Sequence, residues 1–100
     1  MKDLRTIILA AGKGTRMTSD VPKVLHEVCG KPIIDYVVDV ARAAGSLKTY
    51  IVLGHKIEEV KKHLSPDLMA VEQKKLLGTA DAVRCTERYL KNFAGQVLIL

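Results

Sequence analysis

Aromatic residues and cysteines are scarce in this sequence, which has no tryptophan, one phenylalanine, three tyrosines and two cysteines among its 100 residues. Cys29 and Cys85 lie far apart in the chain and have neither Cys-x-x-Cys nor Cys/His spacing. A disulfide framework or a zinc site is therefore not expected, and we predict that both thiols are reduced. The few aromatic rings offer little surface on which the bases of a nucleic acid could stack.

Long apolar runs are also missing. No stretch approaches the roughly 20 apolar residues that span a bilayer, and the segment Met1–Arg5 lacks the apolar core of a signal peptide. The sequence therefore predicts a soluble, cytoplasmic protein that makes no membrane contact. Its 48% hydrophobic and 27% charged residues are an ordinary balance for one small globular domain.

The net charge of +5 could indicate a nucleic-acid partner, but the positive residues are spread along the chain. The densest groups are the pairs Lys61-Lys62 and Lys74-Lys75, and no basic stripe is interleaved with aromatic residues. Because a polyanion is bound by a continuous basic surface, we expect no nucleic-acid binding. A phosphorylated small molecule fits this distribution better.

The segment Leu9–Lys23 differs from ordinary core or loop sequence. It follows the apolar run Thr6–Leu9, and it contains two glycines, Arg16 and two lysines. Small residues at the carboxyl end of a strand let a ligand approach the backbone, and backbone N–H groups beside positive side chains suit an anion. The segment is therefore either a phosphate-binding loop or a basic surface turn.

Two familiar phosphate motifs do not fit this segment. A Walker A loop requires glycine at the position of Ile7, and here Lys13 is followed by Gly14 rather than by serine or threonine. The dinucleotide fingerprint would start at Gly12, but its third glycine falls on Met17. These patterns leave the kind of phosphate site open.

Apolar periodicity predicts four strands that alternate with three helices. Strands are expected over 5–10, 48–53, 68–72 and 97–100, and helices over 32–44, 57–64 and 79–91, the last capped by Thr79; the short piece 24–29 is irregular or extended. This order is typical of a doubly wound, Rossmann-like α/β fold with a mostly parallel sheet and helices on both faces. Ligands of such sheets bind beyond the carboxyl ends of the strands, so we expect the loops 9–23 and 73–78 to face one pocket.

The apolar strand 97–100 stops without a turn, a cap or a polar tail. Chain termini usually lie in exposed polar segments. We therefore expect residues 1–100 to be the amino-terminal part of one nucleotide-binding domain, with no second domain present. Part of the site is expected beyond Leu100.

Two spaced motifs resemble the sugar-nucleotide pyrophosphorylases. The first is Leu-Ala-Ala-Gly-Lys-Gly-Thr-Arg-Met at 9–17, followed by Pro-Lys-Val-Leu-His at 22–26 and Gly-Lys-Pro at 30–32; the second is Gln73 followed by Leu-Gly-Thr-Ala-Asp-Ala-Val at 77–83. Within that superfamily, the Pro-Lys-Val-Leu-His variant is similar to the uridylyltransferase domain of bacterial enzymes that also carry a glucosamine-1-phosphate acetyltransferase domain. The resemblance covers essentially all 100 residues.

The resemblance implies a UTP-dependent sugar-1-phosphate nucleotidyltransferase. Such an enzyme joins UTP and N-acetylglucosamine 1-phosphate, giving pyrophosphate and UDP-N-acetylglucosamine, a precursor of cell wall peptidoglycan. The sugar phosphate attacks the α-phosphorus of UTP in line, so catalysis depends on positioning and on neutralising charge. Full-length relatives with the acetyltransferase domain are implied to be homotrimers.

By the same resemblance, Arg16 meets the triphosphate and Lys23 contacts the α-phosphate, which makes them the implied catalytic residues. Gln73 reads the uracil edge with an amide that offers both a donor and an acceptor, and Gly78 lets the backbone approach the base. The other implied nucleotide-binding residues are Leu9, Ala10, Ala11, Gly12, Gly14, Thr15 and Thr79.

The sequence departs from the family pattern near the second motif. Leu76 stands where the family commonly has a glutamine, and Ala80-Asp81 stands where it often has Gly-His. These departures imply base contacts that are weaker or differently arranged than in the family. Mg²⁺ is the implied cofactor, and its aspartate ligand is expected beyond Leu100. No metal ligand is assigned within the chain, and the 100 residues alone are expected to be inactive.

Other functions remain open from the residues. One is a related uridylyl- or thymidylyltransferase that acts on glucose 1-phosphate, and another is a non-catalytic nucleotide-binding module of the same fold. Nucleic-acid binding is the third, and it would require a strong salt dependence.

Several polar residues are not needed for chemistry. An attacking phosphate is already an anion, so no general base is required, and the histidines at positions 26, 55 and 63 are expected to be structural or solvated. Asp35 and Asp39 are expected to form a solvated helix face, and Cys29 is expected to be a small packed residue.

Overall fold

A four-stranded parallel sheet with helices on both faces forms the body of the protein, in a computed structural model that describes residues 3–11, 23–54, 57–74, 78–91 and 93–100. The strands are β1 (Leu4–Leu9), β2 (Glu27–Val28), β3 (Lys31–Pro32), β4 (Lys48–Leu53), β5 (Leu68–Glu72) and β6 (Gln96–Ile99), and the helices are α1 (Ile33–Ala43), α2 (Ile57–His63), α3 (Thr79–Arg84) and α4 (Glu87–Leu90), with a 3₁₀ helix over Lys23–Leu25. The predicted α/β fold is confirmed. None of the helices in these ranges is long and apolar enough to cross a membrane.

The strand order of the sheet is β5-β4-β1-β6. Strand β1 pairs in parallel with β4 on one side and with β6 on the other, so that Ile7 lies opposite both Tyr50 and Ile99. The chain moves outward from β1 through β4 to β5 and then returns to the far side of β1. The strand order therefore reverses between β1 and β6, and open α/β sheets bind their ligands outside the carboxyl ends of the strands at such a reversal.

Alternate residues along the strands enter two separate hydrophobic clusters. The cluster shared with α1 and α2 has the buried members Ile8, Ile34, Val38, Ile51, Leu53 and Val60. The cluster on the opposite face is shared with α3, and its buried members are Ile7, Ala11, Tyr50, Val52, Val71 and Ala82. Because helices cover both faces, the central strands are apolar almost throughout rather than alternating with polar residues.

The start of α1 differs slightly from the prediction. Pro32 pairs with Glu27 in the β2–β3 ladder, and its backbone dihedrals of φ −56° and ψ 142° lie outside the helical region. The helix therefore begins at Ile33, one residue later than expected. Proline has a fixed φ near this value, so it serves as the last residue before the helix without strain.

The predicted helix over 79–91 is divided into α3 and α4. At the break, the hydroxyl of Thr86 donates to the carbonyl oxygen of Val83 at 2.6 Å. A threonine that bonds a carbonyl of the preceding turn competes with the helical hydrogen-bond ladder. The residue before α3 is Gly78, which has no side chain to cap the helix. The predictions of one continuous helix and of Thr79 as its N-cap were therefore wrong.

A tight turn of Cys29 and Gly30 joins β2 to β3. Both residues have positive φ, 54° and 77° respectively, as the two central residues of a type I′ hairpin turn require. The side chain of Cys29 is exposed at the tip of this turn. The prediction that Cys29 is a small packed residue was wrong, because a two-residue turn projects its side chains away from the ladder.

Candidate functional site

The carboxyl end of β1 lies at the reversal of strand order. The N–H of Leu9 donates to the carbonyl oxygen of Leu100 at 3.0 Å, and the N–H of Ala10 donates to that of Val52 at 2.9 Å. The chain leaving β1 is therefore fixed by both neighbouring strands. Because these two N–H groups are already engaged, Leu9 and Ala10 can line a ligand but cannot donate their N–H groups to a phosphate.

The segment after β5 reaches the same edge of the sheet, as predicted. The N–H of Gln73 donates to the carbonyl oxygen of Leu53 at 2.7 Å, next to the Val52 carbonyl that Ala10 bonds. The two segments that carry the predicted nucleotide-binding residues thus flank the carboxyl end of β4. Helix α3 continues from the second segment and brings Ala82 into the buried cluster that contains Ala11.

A cavity of about 230 Å³ opens beside the end of β1. The described residues that line it come from β1, the 3₁₀ helix, α1 and the end of the chain, and they are Ile8, Leu9, Ala10, Val24, Ile33, Ile34, Val37 and Leu100. All of these side chains are apolar. The charge of a phosphate bound at this edge would therefore have to be neutralised by positive side chains of other residues.

The 3₁₀ helix places the backbone of Lys23 beside this cavity. Its next residue, Val24, lines the cavity, and both Val24 and Leu25 pack against the cluster beneath α1. Packing thus anchors the chain on the carboxyl side of Lys23. The structure describes Lys23 by its backbone alone, and the predicted site residues Gly12, Gly14, Thr15 and Arg16 lie outside the described residues.

Gln73 has its side chain buried, with 4% of its surface exposed. Its Nε2 donates to Oδ2 of Asp81 at 2.9 Å and to the carbonyl oxygen of Gly78 at 3.4 Å. The sequence predicted that this amide offers both a donor and an acceptor to a base. In the structure the N–H donors are engaged by the protein itself, so the side chain links β5 to α3.

Gly78 adopts φ 98° and ψ 178°, a region that is essentially restricted to glycine. Apart from its chain neighbours, no described residue has an atom within 4 Å of a Cβ added at Gly78. The space beside the backbone is therefore open to a ligand, as the prediction of close approach to a base requires. The carbonyl oxygen of Gly78 also accepts from the N–H of Ala82 at 3.1 Å. Of Thr79, which starts α3, the structure describes only the backbone.

Asp81 is the residue of this region that the sequence did not assign to the site. It was noted only as a departure from the family pattern, whereas the structure joins it to Gln73. The available signal was an acidic residue in the first turn of a helix that follows the Gln73 loop. That signal indicates a favourable charge at a helix start, but it does not indicate a partner.

Charged residues away from this edge form pairs of their own. Nε2 of His63 lies 2.9 Å from Oδ1 of Asp35, and Lys31 donates a hydrogen bond to Asp39, which raises the pKa of Lys31 above its usual value. His63 is exposed and paired with Asp35, which agrees with the structural or solvated role expected for it. Asp39 is exposed, as expected of a solvated helix face, and Asp35 is half-buried; both also pair with residues on other elements. His55 lies outside the described residues.

A larger cavity of about 450 Å³ lies at the opposite, amino-terminal ends of the strands. Its lining includes Lys48 at the start of β4 and Leu68 at the start of β5. Parallel α/β sheets bind their ligands beyond the carboxyl ends of the strands, so we do not place the functional site there. Within the described ranges, no three His, Cys, Asp or Glu side chains are grouped so that they could hold a metal ion.

Comparisons with known proteins agree with the motifs. The chain is 46% identical over 97 residues to the bifunctional protein GlmU of Alkaliphilus oremlandii, a match that covers 97% of this chain and 21% of that protein. It is 49% identical over 100 residues to GlmU of Thermoanaerobacter pseudethanolicus, covering 100% of this chain and 22% of that protein. The resemblance is confirmed. The chain spans about a fifth of the length of these curated relatives.

Solved structures agree with the fold. The structure of Rv0371c from Mycobacterium tuberculosis matches with a TM-score of 0.82 and 22% identity, over 99% of this chain and 51% of that chain. The inositol-1-phosphate CTP transferase from T. maritima matches with a TM-score of 0.72 and 30% identity, over 85% of this chain and 38% of that chain. A family model, the MobA-like NTP transferase domain, matches residues 6–100. The chain therefore belongs to the family of MobA-like NTP transferase domains.

Proposed function

We propose that this chain supplies the nucleotide-binding part of a sugar-1-phosphate nucleotidyltransferase that joins UTP and N-acetylglucosamine 1-phosphate. The observation that carries the proposal is the convergence of the segments after β1 and β5 on the carboxyl end of β4, through the carbonyls of Val52 and Leu53. Membership of the NTP transferase family favours nucleotidyl transfer, and the similarity to GlmU proteins favours these two substrates.

In the proposed reaction, a phosphate oxygen of the sugar 1-phosphate forms a bond to the α-phosphorus of UTP, and the bond to pyrophosphate breaks. No side chain becomes covalently attached, so the residues of this chain act by positioning and by neutralising charge. We assign Arg16 to the triphosphate, because its planar fork can bond several oxygens. Lys23 serves the α-phosphate as a point charge.

The backbone donors for the phosphates belong to the segment that follows Ala10. The N–H groups of Leu9 and Ala10 are engaged by neighbouring strands, so these two residues line the nucleotide without donating to it. We assign the donors to the residues at 11, 12, 14 and 15. On the other side of β4, Gln73, Gly78 and Thr79 form the part that we propose for the base.

Mg²⁺ is the metal that we propose for the complete site, where it would neutralise the charge of the phosphoryl oxygens. The described residues do not supply a set of ligands for it. We therefore expect its ligands outside the described ranges, and we assign no step of this chain's own residues to the metal.

A substrate panel tests the proposal. The protein at its natural length would be incubated with Mg²⁺, with UTP, CTP or dTTP, and with either N-acetylglucosamine 1-phosphate or glucose 1-phosphate, and pyrophosphate release would be measured. We expect the highest kcat/KM for UTP with N-acetylglucosamine 1-phosphate. A preference for glucose 1-phosphate would indicate the related transferases, and nucleotide binding without pyrophosphate release would indicate a non-catalytic module.

A further inference from the structure

The amide of Gln73 has both of its N–H donors directed at acceptors of the protein. Nε2 lies 2.9 Å from Oδ2 of Asp81 and 3.4 Å from the carbonyl oxygen of Gly78. A primary amide carries two N–H donors and one acceptor oxygen. Among the described residues no donor bonds Oε1, so this atom of the side chain remains to bond a ligand.

Asp81 determines this orientation of the amide. An ionised carboxylate can only accept hydrogen bonds, so an amide rotated by 180° would place Oε1 against Oδ2, with two acceptors in contact. The same rotation would leave the carbonyl of Gly78 facing an oxygen. Gln73 is only 4% exposed, and unpaired polar groups are costly where water has little access. The orientation with Nε2 toward Asp81 is therefore strongly favoured.

The position of Asp81 is itself fixed by packing. The next residue of α3, Ala82, is 4% exposed and lies in the buried cluster with Ala11 and Val71. The N–H of Ala82 donates to the carbonyl oxygen of Gly78 at 3.1 Å. The carboxylate therefore projects from a helical turn that is held in place by the packing of Ala82 and by its backbone hydrogen bond. Its hydrogen bond with Gln73 thus joins two side chains on well-anchored backbone.

We propose that Asp81 is a positioning residue that makes the Gln73 amide select uracil over cytosine. The inference rests on the proposed function, in which Gln73 faces the edge of the base. N3 of uracil carries a hydrogen and donates, whereas N3 of cytosine carries none and accepts. With Oε1 as the free group, the amide bonds uracil at N3 and repels cytosine. An amide released from Asp81 can rotate and offer Nε2 to cytosine.

Substitutions at position 81 test this inference in the protein at its natural length. Asp81→Ala and Asp81→Ser both remove the carboxylate, and Ser suits the first turn of a helix if the Ala variant folds poorly. Asp81→Asn keeps an oxygen acceptor that can bond Nε2. Glu87→Ala removes the same charge from an exposed position of α4 and serves as the matched control.

The readout is the ratio of kcat/KM for UTP to that for CTP, with thermal unfolding measured in parallel. We expect Asp81→Ala and Asp81→Ser to lower the ratio by about tenfold, the size of one exchanged hydrogen bond. Asp81→Asn should recover the ratio to within about threefold of the wild type, and Glu87→Ala should leave it unchanged. A purely structural Asp81 would instead lower stability and leave the ratio as it is, and this result would overturn the inference.

Failure of the proposed function gives a different result. A wild-type protein that releases no pyrophosphate would refute nucleotidyl transfer, and the equilibrium Kd values of UTP and CTP would then replace kcat/KM in the same set of variants. A wild type that turns over UTP and CTP equally well would overturn the inference while leaving the transferase reaction intact. A wild type that binds neither nucleotide would overturn both.

Discussion

Ala11, which follows β1, and Ala82 of α3 lie in the same buried cluster, with 6% and 4% of their surfaces exposed. Helix α3 starts after β5, the edge strand of the sheet, and its contacts with β1 show that it crosses toward that strand. This buried cluster thus joins the segment that we propose for the base to the segment that we propose for the phosphates. Two small side chains permit the helix to approach closely the chain that leaves β1.

Enlarging one of these residues should disturb both sides of the site. Ala82→Leu adds volume to a closely packed cluster, so we expect the free energy of unfolding to fall by about 1–3 kcal/mol. Nucleotide binding should weaken as well, because the chain after Ala11 would be displaced. Ala43→Leu, at an exposed position near the end of α1, is the matched control and should change neither. Urea unfolding and UTP titration measure the two effects, and an unchanged unfolding free energy for Ala82→Leu would contradict the packing argument.

The fold was largely predictable because strands that are buried in a parallel sheet have nearly continuous apolar sequences. Strands β4 and β5 have the bounds that the sequence predicted, 48–53 and 68–72, and β1 and α2 differ by one residue at their ends. The break between α3 and α4 was not predictable in this way. It depends on which carbonyl the hydroxyl of Thr86 bonds, and periodicity carries no information about that choice.

The location of the candidate site was predictable, but its hydrogen bonds were not. The order of strands and helices places the segments after β1 and β5 at one edge of the sheet, since parallel strands end together. The contact between Gln73 and Asp81 depends on the path of the chain between them. The pairing of His63 with Asp35 similarly depends on how α2 packs beside α1, so the sequence showed only two polar residues.

Lys23 provides a test of the catalytic assignment. Lys23→Ala removes the point charge that we assign to the α-phosphate, and loss of one group that stabilises transition-state charge typically lowers kcat by about 100- to 1,000-fold. Stability should change little, because Val24 and Leu25 anchor this part of the chain on the core. Lys62→Ala, on the exposed part of α2, controls for loss of one positive charge. Pyrophosphate release and thermal unfolding would be compared, and near-normal turnover of Lys23→Ala would refute the assignment.

Gly78 is expected to be intolerant of any side chain for reasons of backbone conformation. Its φ of 98° and ψ of 178° are strained for alanine although a Cβ would meet no described residue beyond its chain neighbours, so Gly78→Ala should cost about 1–3 kcal/mol of unfolding free energy. The comparison variant Ala80→Gly, at an exposed position in α3, should cost at most about 1 kcal/mol. Chemical denaturation measures both. Equal costs would show that the helix start, rather than the conformation of Gly78, limits stability.

Cys29 is a residue whose replacement should stabilise the protein. It is exposed and has a φ of 54°, at the first central position of the turn that joins β2 to β3. Asparagine is favoured at that position when glycine follows, as Gly30 does here. We expect Cys29→Asn to raise the free energy of unfolding by about 0.5–1 kcal/mol.

A substitution that is expected to destabilise the same turn completes the test. Cys29→Val places a β-branched side chain at positive φ, where its clash with the backbone should cost about 1–2 kcal/mol. Urea midpoints of the three proteins would be measured with a reducing agent present, so that disulfides between exposed thiols do not contribute. The order of stability should be asparagine, then cysteine, then valine at position 29. Equal midpoints for the asparagine and valine variants would mean that the turn does not adopt positive φ at this residue in solution.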